Sequence, residues 1–583
     1  MLMSKLFGRT LREDPAGATS ASHRLLVRSA MIQQLGTGIY SYLPIGWRAL
    51  ARIEAIIAEE MDRIGGQRIE MPVVHPADLW KQSRRWHDVG PEMVRFRDRM
   101  DHDMVLAMTH EEIVADLAAA HVSSYRDLPQ LVYQIHTKFR DEPRSRAGLI
   151  RVREFAMKDA YSLHCDEDEM RALYQRVVDA YVRVFRRCGM ETVVTESSTG
   201  MMGGSTAHEF MLLDPSGEDT ILICPECRYT ANQEVAISRR QSPGDADPEP
   251  LEEVSTPGTT TIEQVADLLG VGAESTAKAV FYEAGDELVF AVIRGDRDVN
   301  EAKLAGLLKS PVEPASPETL EKAGIVAGYA SPVGVTGVRV VVDHSVADSR
   351  NLVGGANKAG FHLRNTNYPR DYQGLEADVG TAREGDGCPH CEGALREARG
   401  IELGNTFQLG YDYSKKRGAL YLDPDGEPQP FFMCSYGIGV GRILGAAVER
   451  WHDKNGMILP PGIAPWDVHI VQLGANEEIE AAAAELVAGL TDRGLQVLHD
   501  ERNVSAGVKF NDADLLGLPL RVTVSARNLR AEQIEIKPRA AEAAQMVGLD
   551  DAVASIADLC GELRGQHRPD RPIWDPVSEL DGN

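Results

Sequence analysis

The chain has 583 residues, of which 43% are hydrophobic and 26% are charged, and its formal net charge is −26 with a pI near 5.1. This length is too great for one hydrophobic core and suggests about three to five domains. The N-terminus lacks the apolar core of a signal peptide, and no apolar run approaches the ~18 residues of a membrane span, so we expect a cytoplasmic protein with no membrane partner. The eight cysteines then imply reduced thiols or a metal site, not a disulfide framework.

A long helix near the N-terminus is predicted to lead into a strand. From Trp47 to Ile64 the apolar residues recur at helical spacing. Gly65 and Gly66 are expected to end this helix, and a strand is predicted from Gln67 to Val74. A generic amphipathic helix followed by a strand would give the same pattern.

Residues 106–112 have the sequence LAMTHEE. A buried threonine hydroxyl and a carboxylate beside a strand end could bind a substrate ammonium group, which suggests Thr109 and Glu111. Alternatively, His110, Glu111 and Glu112 cap the helix that continues from Ile113, because acids are favourable at its positive end. Both interpretations can hold at once.

A charged hairpin is predicted in the next segment. An aromatic strand from Tyr133 to Phe139 is followed by a polar loop from Pro143 to Gly148 and a second strand from Leu149 to Phe155. Residues 138–158 hold seven Lys or Arg against three acids, a local balance of +4. A nucleic acid contacts a local patch of the surface and not the average charge of the whole chain. The acidic net charge therefore does not exclude nucleic-acid binding.

The chemistry of this hairpin lies in two arginines and one aromatic residue. Arg140 and Arg151 are expected on paired strands, where forked guanidinium groups suit bidentate phosphate contacts. Phe155 could stack on a base. An ordinary hairpin with a charged tip is the alternative.

The segment resembles motif 2 of the class II aminoacyl-tRNA synthetases, Phe-Arg-x-Glu, a loop, then Arg-x-x-x-Phe-x-x-x-Asp. The matching residues are Phe139, Arg140, Glu142, Arg151, Phe155 and Asp159. The resemblance implies that Arg140 holds the α-phosphate of ATP, that Glu142 accepts from the adenine amino group and that Phe155 stacks on adenine. The helix and strand near the N-terminus resemble motif 1, which in this class forms the dimer interface, so a homodimer is implied.

Residues 199–210, TGMMGGSTAHEF, match a segment that builds the amino-acid pocket of prolyl-tRNA synthetases. In that family a Thr-x-Glu corresponding to Thr109 and Glu111 contacts the amino acid. The resemblance implies proline contacts from these two residues and from Arg140, His208 and Ser435. A lone histidine is more often a structural hydrogen-bonder, and the matching glycines favour the pocket role for His208.

The catalytic pattern is then interrupted by an insertion. A Pro-, Glu-, Asp- and Ser-rich stretch from Gln241 to Thr261 predicts a flexible linker or long loop, and an α/β pattern follows to about Asp378. This block resembles the editing insertion of bacterial-type prolyl-tRNA synthetases. The resemblance implies that Lys278 anchors the tRNA 3′ end or its ester. The residues implied around it are Gly328, Pro332, Asp343 and His362.

An editing site has a physical reason, because a proline pocket cannot exclude the smaller alanine sterically and loses only ~1–3 kcal/mol for each missing methylene contact. No nucleophile and base pair is evident, so we expect water to attack the ester. The alternative is that Lys278 is an ordinary exposed lysine and that the inserted block is only a spacer without activity.

Two Cys-x-x-Cys pairs flank the insertion, Cys224 with Cys227 and Cys388 with Cys391. Their spacing and four thiolates suit tetrahedral zinc. The pairs could meet if the ends of the insertion are adjacent, and a zinc ion would then fasten its base. Four reduced thiols are the alternative.

Beyond the insertion, Glu402 is placed on a strand where it could ligate magnesium on ATP phosphates, with Gln408 on the same face. A polar strand face turned to water is the alternative for both. Gly437, Gly439 and Gly441 predict a strand flat enough for a base to approach. Arg442 then opens a helix and could lie over that base or reach a phosphate. This segment resembles motif 3, which implies that Arg442 and Arg151 hold ATP phosphates.

From Trp466 to Cys560, alternating strands and helices resemble the anticodon-binding domain shared by the synthetases for proline, threonine, glycine and histidine. The predicted helices are 477–490, 508–516 and 550–560, and the strands are 467–473, 495–498, 520–524 and 533–536.

The predicted fold class is therefore α/β and α+β multidomain. An antiparallel-sheet class II core (1–222 and 393–464) carries an inserted α/β editing domain (223–392), an α/β anticodon-binding domain (465–565) and a disordered tail (566–583). The resemblance to bacterial-type prolyl-tRNA synthetases implies ATP and Mg²⁺ as cofactors and proline and tRNA(Pro) as partners. Prolyl-adenylate would form first, the prolyl group would pass to tRNA(Pro), and Ala-tRNA(Pro) would be hydrolysed by the insertion.

Two alternatives remain. A synthetase for threonine or another small amino acid is disfavoured by the insertion and by residues 199–210. A catalytically silent paralogue acting as a tRNA-binding or regulatory module is disfavoured because the arginines of motifs 2 and 3 are present.

Overall fold

The chain folds into two compact units, and the second interrupts the first. A computed structural model describes residues 1–240 and 246–565. Among the described residues, the first unit contains Met1–Val194, Thr199–Gly217 and residues 400–565, and the second contains Thr195–Ser198 and Glu218–Arg399. The predicted disordered tail, 566–583, lies outside the described residues. No helix in the described ranges combines the length and the apolar character that crossing a membrane requires.

The long N-terminal helix begins earlier than predicted, because Pro44 occupies its first turn, where a missing N–H is tolerated. The strand predicted from Gln67 to Val74 is instead two short strands separated by a proline-containing segment.

The elements up to residue 217 are α1 (Ala21–Arg28), β1 (Ile32–Gly36), β2 (Ile39–Tyr42), α2 (Pro44–Arg63), β3 (Gln67–Arg68), β4 (Val74–Pro76), α3 (Ala77–Gln82), α4 (Arg85–Asp88), β5 (Arg95–Arg97), β6 (Asp103–Leu106), α5 (Glu111–His121), β7 (Gln130–Phe139), β8 (Glu154–His164), α6 (Glu167–Arg187), β9 (Val193–Ser197) and β10 (Thr206–Leu213).

The second strand of the charged hairpin was predicted in the wrong place. It was expected at Leu149–Phe155, whereas β8 begins at Glu154. Residues 140–153 are a loop in which Ala147 and Gly148 both have positive φ, and Leu149 is buried in the core. Arg140 therefore follows β7 and Arg151 precedes β8, and the two do not lie on paired strands.

The elements of the second unit are β11 (Asp219–Ile223), β12 (Thr230–Asn232), β13 (Glu252–Ser255), α7 (Ile262–Leu269), β14 (Ala277–Ala284), β15 (Glu287–Arg294), α8 (Glu301–Leu308), β16 (Glu313–Pro314), α9 (Pro317–Lys322), β17 (Arg339–Asp343), α10 (His344–Ala347), β18 (Leu352–Gly355), β19 (Phe361–Thr366) and β20 (Leu375–Ala377). One sheet has the order β16–β14–β15–β17–β20, and another has the order β13–β19–β18. The linker predicted from Gln241 to Thr261 is wrong at β13, which pairs with β19; residues 241–245 of it lie outside the described residues. The error arose because a distant strand supplies hydrogen bonds that the local composition does not reveal.

The chain after the insertion forms β21 (Arg396–Gly410), α11 (Asp412–Arg417), β22 (Leu420–Leu422), β23 (Pro428–Pro430), β24 (Phe432–Gly439), α12 (Val440–Arg450), β25 (Val468–Leu473), α13 (Glu477–Asp492), β26 (Val497–Asp500), α14 (Ala506–Leu516), β27 (Leu520–Ser525), α15 (Ala526–Leu529), β28 (Gln533–Pro538), β29 (Gln545–Gly548) and α16 (Ala552–Gly565). Within the described part of the first unit, strands β10–β21–β24–β8–β7–β3 form a sheet in this order, antiparallel except where β3 meets β7. Helices α2, α6 and α12 pack together against it through a buried apolar core, which includes Ile53, Tyr181, Phe185 and Leu444.

The C-terminal part of the first unit has its own sheet, in the order β26–β25–β27–β28–β29. Strand β25 is parallel to both of its neighbours, and β28 is antiparallel to β27 and β29. Two ion pairs join this part to the preceding core, Arg52 with Asp467 and Arg539 with Asp453.

Candidate active site

Arg140 lies directly after β7, beside the segment that carries Thr109. Its Nε and Nη2 donate to the carbonyl oxygen of Met108 at 3.4 and 3.3 Å, and its guanidinium carbon is 5.6 Å from the ring centroid of Phe155. Burial lowers the pKa of Arg140, and the charge of Glu402 opposes this. The backbone contact fixes the guanidinium while other donors remain for a bound anion.

Arg442 is in the first turn of α12 and is held by three contacts. Its Nη1 donates to Glu402 Oε2 at 2.7 Å and to the Glu402 carbonyl at 3.0 Å, and its Nε donates to the Ile150 carbonyl at 2.9 Å. Asn405 Nδ2 donates to the other oxygen of Glu402 at 2.9 Å. The sheet thus places a guanidinium and a carboxylate within reach of Arg140. Sequence reasoning missed Asn405, because a bulge in β21 sets which of its side chains meet.

Glu142 and Arg151 face each other across the loop between β7 and β8, with 3.1 Å between Arg151 Nη2 and Glu142 Oε1. The backbone N–H of Arg144 donates to the same carboxylate oxygen at 3.0 Å, and Arg153 Nε donates to the Glu142 carbonyl at 3.2 Å. These contacts shape the loop around two of the predicted ATP ligands.

Thr109 and Glu111 are both buried at the start of α5. Thr109 Oγ1 donates to Glu111 Oε2 at 2.6 Å. Burial raises the pKa of Glu111, and the nearby guanidinium of Arg85 opposes that rise. Glu111 and Glu112 also occupy the first turn of the helix, but the N-cap residue His110 makes no side-chain capping hydrogen bond. The acids therefore lie at the positive end of the helix, and one of them is also suited to an ammonium group.

A buried polar network underlies this segment. Lys138 Nζ donates to Asp159 Oδ1 at 2.7 Å, and Gln134 and Tyr161 donate to Asp159 Oδ2 at 2.9 and 2.8 Å. The backbone N–H of His110 then donates to the Tyr161 hydroxyl at 3.0 Å. The network ties the two hairpin strands to the Thr109–Glu111 segment, and of its side chains only that of Asp159 was singled out from the sequence.

His208, Gln408 and Ser435 lie on the neighbouring strands β10, β21 and β24. His208 Nδ1 is 2.8 Å from the Tyr174 hydroxyl, and burial lowers the pKa of this histidine. Gln408 pairs with Thr206 in the sheet. Ser435 is 4% exposed, and its hydroxyl has no hydrogen-bond partner within residues 1–240 and 246–565. These residues offer a neutral imidazole and a buried hydroxyl on the same sheet.

Gly204 shows why the 199–210 segment needs glycine. Its φ is +93°, and a Cβ at this position would lie 2.0 Å from the carbonyl oxygen of Gln408. The next residue, Ser205, donates its N–H to that same carbonyl at 3.0 Å. A side chain at position 204 would therefore push the segment away from β21.

In the second unit, Lys278 and Pro332 line a small cavity of about 10 Å³, together with Ala277, Ala279, Val292, Ala330, Ser331, Gly354, Gly355, Thr366 and Tyr372. Lys278 Nζ is 2.8 Å from Asp298 Oδ1. Gly328 has a φ of +77° and packs against Thr260, outside the cavity lining. Of the five predicted editing residues, two thus share one cavity.

Asp343 and His362 were expected to shape that pocket, but neither lines it. Asp343 is 0% exposed, and its carboxylate accepts from Arg240 and from the backbone N–H groups of Ser345 and Val379, both at 2.9 Å. Burial opposes ionisation, but Arg240 and these N–H donors hold the pKa of Asp343 below its ordinary value. His362 is buried with Nδ1 2.6 Å from Thr256 Oγ1. Both side chains turn into the domain for a structural reason: Asp343 caps helix α10, and His362, on β19, bonds to Thr256 directly after β13.

The four cysteines that flank the insertion meet, as predicted. All four sulfur atoms lie within 4.8 Å of one another, with 3.4 Å from Cys224 to Cys391 and 3.4 Å from Cys227 to Cys388. Zinc at ~2.3 Å from each of four tetrahedral sulfurs would separate those sulfurs by about 3.8 Å. The backbone N–H of His390 donates to the Cys388 sulfur at 3.4 Å. Burial alone would raise the pKa of Cys224, but N–H donors hold it below its ordinary value. Burial and neighbouring thiols raise the pKa of Cys388, and neighbouring thiols raise that of Cys391 against an N–H donor. The fit to the ion rests on the four converging sulfur atoms.

Comparison with known families agrees with this architecture. Residues 94–451 match the tRNA synthetase class II core domain (G, H, P, S and T), and residues 467–559 match the anticodon binding domain. With the antiparallel sheet and the arginines at its strand ends, these matches define a class II aminoacyl-tRNA synthetase.

The chain is 48% identical to the proline–tRNA ligase of Salinispora tropica, with 97% of each chain covered. It is 46% identical to the proline–tRNA ligase of Dehalococcoides mccartyi, over 95% of this chain and 98% of the relative, and 44% identical to that of Halothermothrix orenii, over 97% and 100%. The chain belongs to the proline–tRNA ligase family, so the family predicted from the sequence is confirmed.

The fold is similar to that of prolyl-tRNA synthetase from Cryptosporidium parvum, whose crystal structure contains halofuginone and AMPPNP. The TM-score is 0.58 at 14% identity, covering 94% of this chain and 78% of the other. At this identity the likeness concerns the fold alone, and it agrees with the predicted fold class.

Proposed function

We propose that this chain activates proline with ATP and transfers the prolyl group to tRNA(Pro). The observation that carries the proposal is the placement of Arg140 between the Thr109–Glu111 pair and the Arg442–Glu402 pair. An amino acid needs an acidic partner for its ammonium group and a basic partner for its carboxylate, and this arrangement supplies both. Membership of the proline–tRNA ligase family supports the assignment of proline.

Activation requires the proline carboxylate to attack the α-phosphate of ATP and expel pyrophosphate. Little proton transfer is involved, so positioning and charge neutralisation provide most of the acceleration. Arg140 would bind the α-phosphate and the carboxylate, and Arg151 and Arg442 would hold the other phosphates. Glu142 would accept from the adenine amino group, and Phe155 would stack on adenine.

The residues around Glu402 fit a magnesium ion that reaches the site with ATP. Glu402 is a carboxylate beside Arg442, and hard oxygen ligands are those that Mg²⁺ prefers. The ion would supply further neutralisation of phosphate charge. Glu402 accepts from Arg442 and Asn405, so it must exchange one of these donors to take up a metal. Gln408, on the same strand, is the second group proposed near ATP.

For the amino acid, Thr109 and Glu111 would receive the imino group of proline, with His208 and Ser435 lining the pocket. The neutral imidazole of His208 is fixed through Tyr174, and the Ser435 hydroxyl has no partner in the described ranges. A buried hydroxyl without a partner is unfavourable and is relieved by a ligand or a water molecule.

The insertion is proposed to hydrolyse Ala-tRNA(Pro). Its cavity at Lys278 has room for about one water molecule, so it must widen to admit the alanyl methyl group and must widen further to admit the larger prolyl ring. Lys278 would bind the tRNA end and Pro332 would shape the pocket wall, whereas Gly328, Asp343 and His362 lie outside the cavity lining. The domain limits 223–392 for the insertion, 1–222 with 393–464 for the core and 465–565 for the anticodon domain are part of this proposal, as is a homodimer through α2.

Zinc is proposed at the four cysteines, where it would fasten the two ends of the insertion and take no part in catalysis. Its support is the convergence of four sulfurs from positions far apart in the sequence.

The test of the main proposal is charging of a tRNA(Pro) transcript with labelled proline. The active enzyme should form prolyl-tRNA in an ATP-dependent reaction, and Lys278→Ala should leave charging with proline unchanged while it slows the deacylation of Ala-tRNA(Pro). Binding of tRNA(Pro) without any charging would instead indicate a silent tRNA-binding paralogue.

A further inference from the structure

We infer that Arg85 and Glu112, two buried residues outside the predicted site, are positioning residues. They set the charge of the part of the amino-acid pocket that is proposed to bind the ammonium group of the substrate. The inference rests on the proposed role of Glu111 in binding proline. Arg85 begins α4 and is 6% exposed, and Glu112 is 0% exposed. From the sequence, Glu112 was considered only as an acid that caps the helix, and Arg85 was not singled out because an arginine in a charged stretch looks like a surface residue.

The three side chains form one cluster. Arg85 Nη1 is 3.1 and 3.2 Å from the two carboxylate oxygens of Glu112 and 3.4 Å from Glu111 Oε2. Ser83 Oγ donates to Glu112 Oε1 at 2.9 Å. Glu111 Oε2 thus accepts from Arg85 as well as from Thr109.

Within the cluster, acids outnumber bases. Two ionised carboxylates against one guanidinium give a net charge of −1, burial raises the pKa of Glu111, and Arg140 is a further cation that faces it. A buried charge is unfavourable unless it is paired. The neighbouring Lys138–Asp159 pair balances itself. A cationic ligand at Glu111 would neutralise the cluster, and the imino group of proline is such a ligand.

Arg85 cannot lose its proton at ordinary pH, so its contribution to this balance is fixed. Burial opposes the charged form, but Glu112, Tyr413 and Glu111 raise the pKa of Arg85. The guanidinium carbon lies 4.9 Å from the ring centroid of Trp80 and 5.7 Å from that of Tyr413. These rings hold the guanidinium in place beside the acids.

Arg85 also reaches the loop that completes the pocket. Its Nη2 is 3.7 Å from the sulfur of Met202, and the Tyr413 hydroxyl donates to the Met202 carbonyl at 3.1 Å. One side chain therefore links the acid pair to the 199–210 segment. The charged and titratable groups that face Glu111 from the surrounding elements are Arg85, Glu112, Lys138, Arg140, Tyr161 and Tyr413.

A charge cycle tests the inference. Glu112→Gln brings the cluster to zero, Arg85→Met brings it to −2, and the double variant returns it to −1. Proline-dependent ATP–pyrophosphate exchange is measured with each protein. We expect Glu112→Gln to raise the KM for proline about tenfold, because the ammonium group loses its net attraction, with the KM for ATP changed by less than about twofold.

The double variant distinguishes charge from structure. We expect its KM for proline to be lower than that of Glu112→Gln, because the net charge of −1 is restored, and lower than that of Arg85→Met, because in that variant a proton must leave the acid pair before proline binds. In Arg85→Met, two adjacent carboxylates would share a proton. Proline binding should then release more protons than in the wild type, as measured by calorimetry in two buffers of different ionisation enthalpy.

The control is Arg539→Met, which removes the ion pair with Asp453 outside the pocket and should leave the KM for proline unchanged. An unchanged KM for proline in Glu112→Gln overturns the inference, even if Arg85→Met does not fold. A double variant worse than both single variants also overturns it. If the wild type itself shows no exchange with proline, the proposed function fails instead.

Discussion

Arg140→Lys is the substitution that most sharply separates geometry from charge at the proposed active site. Lysine keeps the positive charge but cannot make two parallel hydrogen bonds to one anion. It also cannot reproduce the two contacts of Nε and Nη2 with the Met108 carbonyl at 3.4 and 3.3 Å. The protein should therefore fold with a cation in place but without the fixed fork.

The size of the effect follows from the bonds lost. A hydrogen bond to a charged group contributes about 1.5–3 kcal/mol, and each ~1.4 kcal/mol corresponds to a tenfold change in rate. Loss of one bond to the transferring α-phosphate should lower kcat/KM in proline-dependent ATP–pyrophosphate exchange by roughly 10- to 100-fold. Since the bond strengthens as charge develops, most of the decrease should appear in kcat.

The assay is steady-state exchange at saturating ATP with the proline concentration varied, so that kcat and KM are obtained separately, and the midpoint of thermal unfolding is measured in parallel. Arg171→Lys is the matched control, because Arg171 is an exposed arginine of α6 paired with Glu167, and it should retain full activity. A decrease of less than about threefold for Arg140→Lys, with an unchanged unfolding midpoint, would refute the role assigned to the guanidinium.

Three further predictions concern other parts of the molecule. Gly204→Ala should raise the KM for proline about tenfold in exchange assays, because a Cβ would lie 2.0 Å from the Gln408 carbonyl at a φ of +93°. Cys227→Ser should reduce bound zinc, measured by elemental analysis, from about one ion per chain to near none, while proline activation changes by less than about threefold. Burial lowers the pKa of His469 to about 4, so only the unfolded chain takes up this proton between pH 6.5 and 4, and stability falls as the pH falls. His469→Leu should therefore lose about 2 kcal/mol less stability than the wild type between pH 7.5 and 5.0, measured by denaturant unfolding.

Each of these has an outcome that would contradict it. An unchanged KM for proline in Gly204→Ala would mean that the loop does not shape the pocket. If the wild-type protein is purified without zinc and does not bind zinc when the ion is added, the four cysteines are reduced thiols and not a metal site. Equal acid sensitivity of His469→Leu and the wild type would mean that this histidine is not held neutral in the folded state.

Most of the C-terminal elements could be predicted to within a few residues, although the short helix α15 and strand β29 were missed and α16 extends to Gly565, beyond its predicted end at 560. The helix predicted at 477–490 is observed at Glu477–Asp492, and the helix at 508–516 is observed at Ala506–Leu516. These elements carry regular apolar patterns and capping residues within their own sequence, such as Asn476, whose side chain accepts from the backbone of α13. The position of a helix or strand can be predicted from the sequence where its apolar pattern and its capping residues lie within the element itself.

The errors arose where distant contacts decide the structure. Leu149–Phe155 alternates like a strand, but Leu149 is buried in the core and the preceding residues turn with positive φ. Glu252–Ser255 looks like linker and becomes a strand because β19 pairs with it. Arg85 could not be recognised, since its role depends on α4 lying beside α5. In contrast, the cysteine pairs do meet, which the sequence allowed on the condition that the ends of the insertion are adjacent.

The most direct test of the proposed chemistry is ATP–pyrophosphate exchange with proline, alanine, threonine and cysteine in parallel, on the purified full-length chain. We predict strong exchange with proline and weak exchange with alanine, because alanine enters the same pocket and lacks only the contacts of the missing ring atoms. Absence of exchange with proline in a folded protein would contradict the assignment and would favour a tRNA-binding protein without catalytic activity.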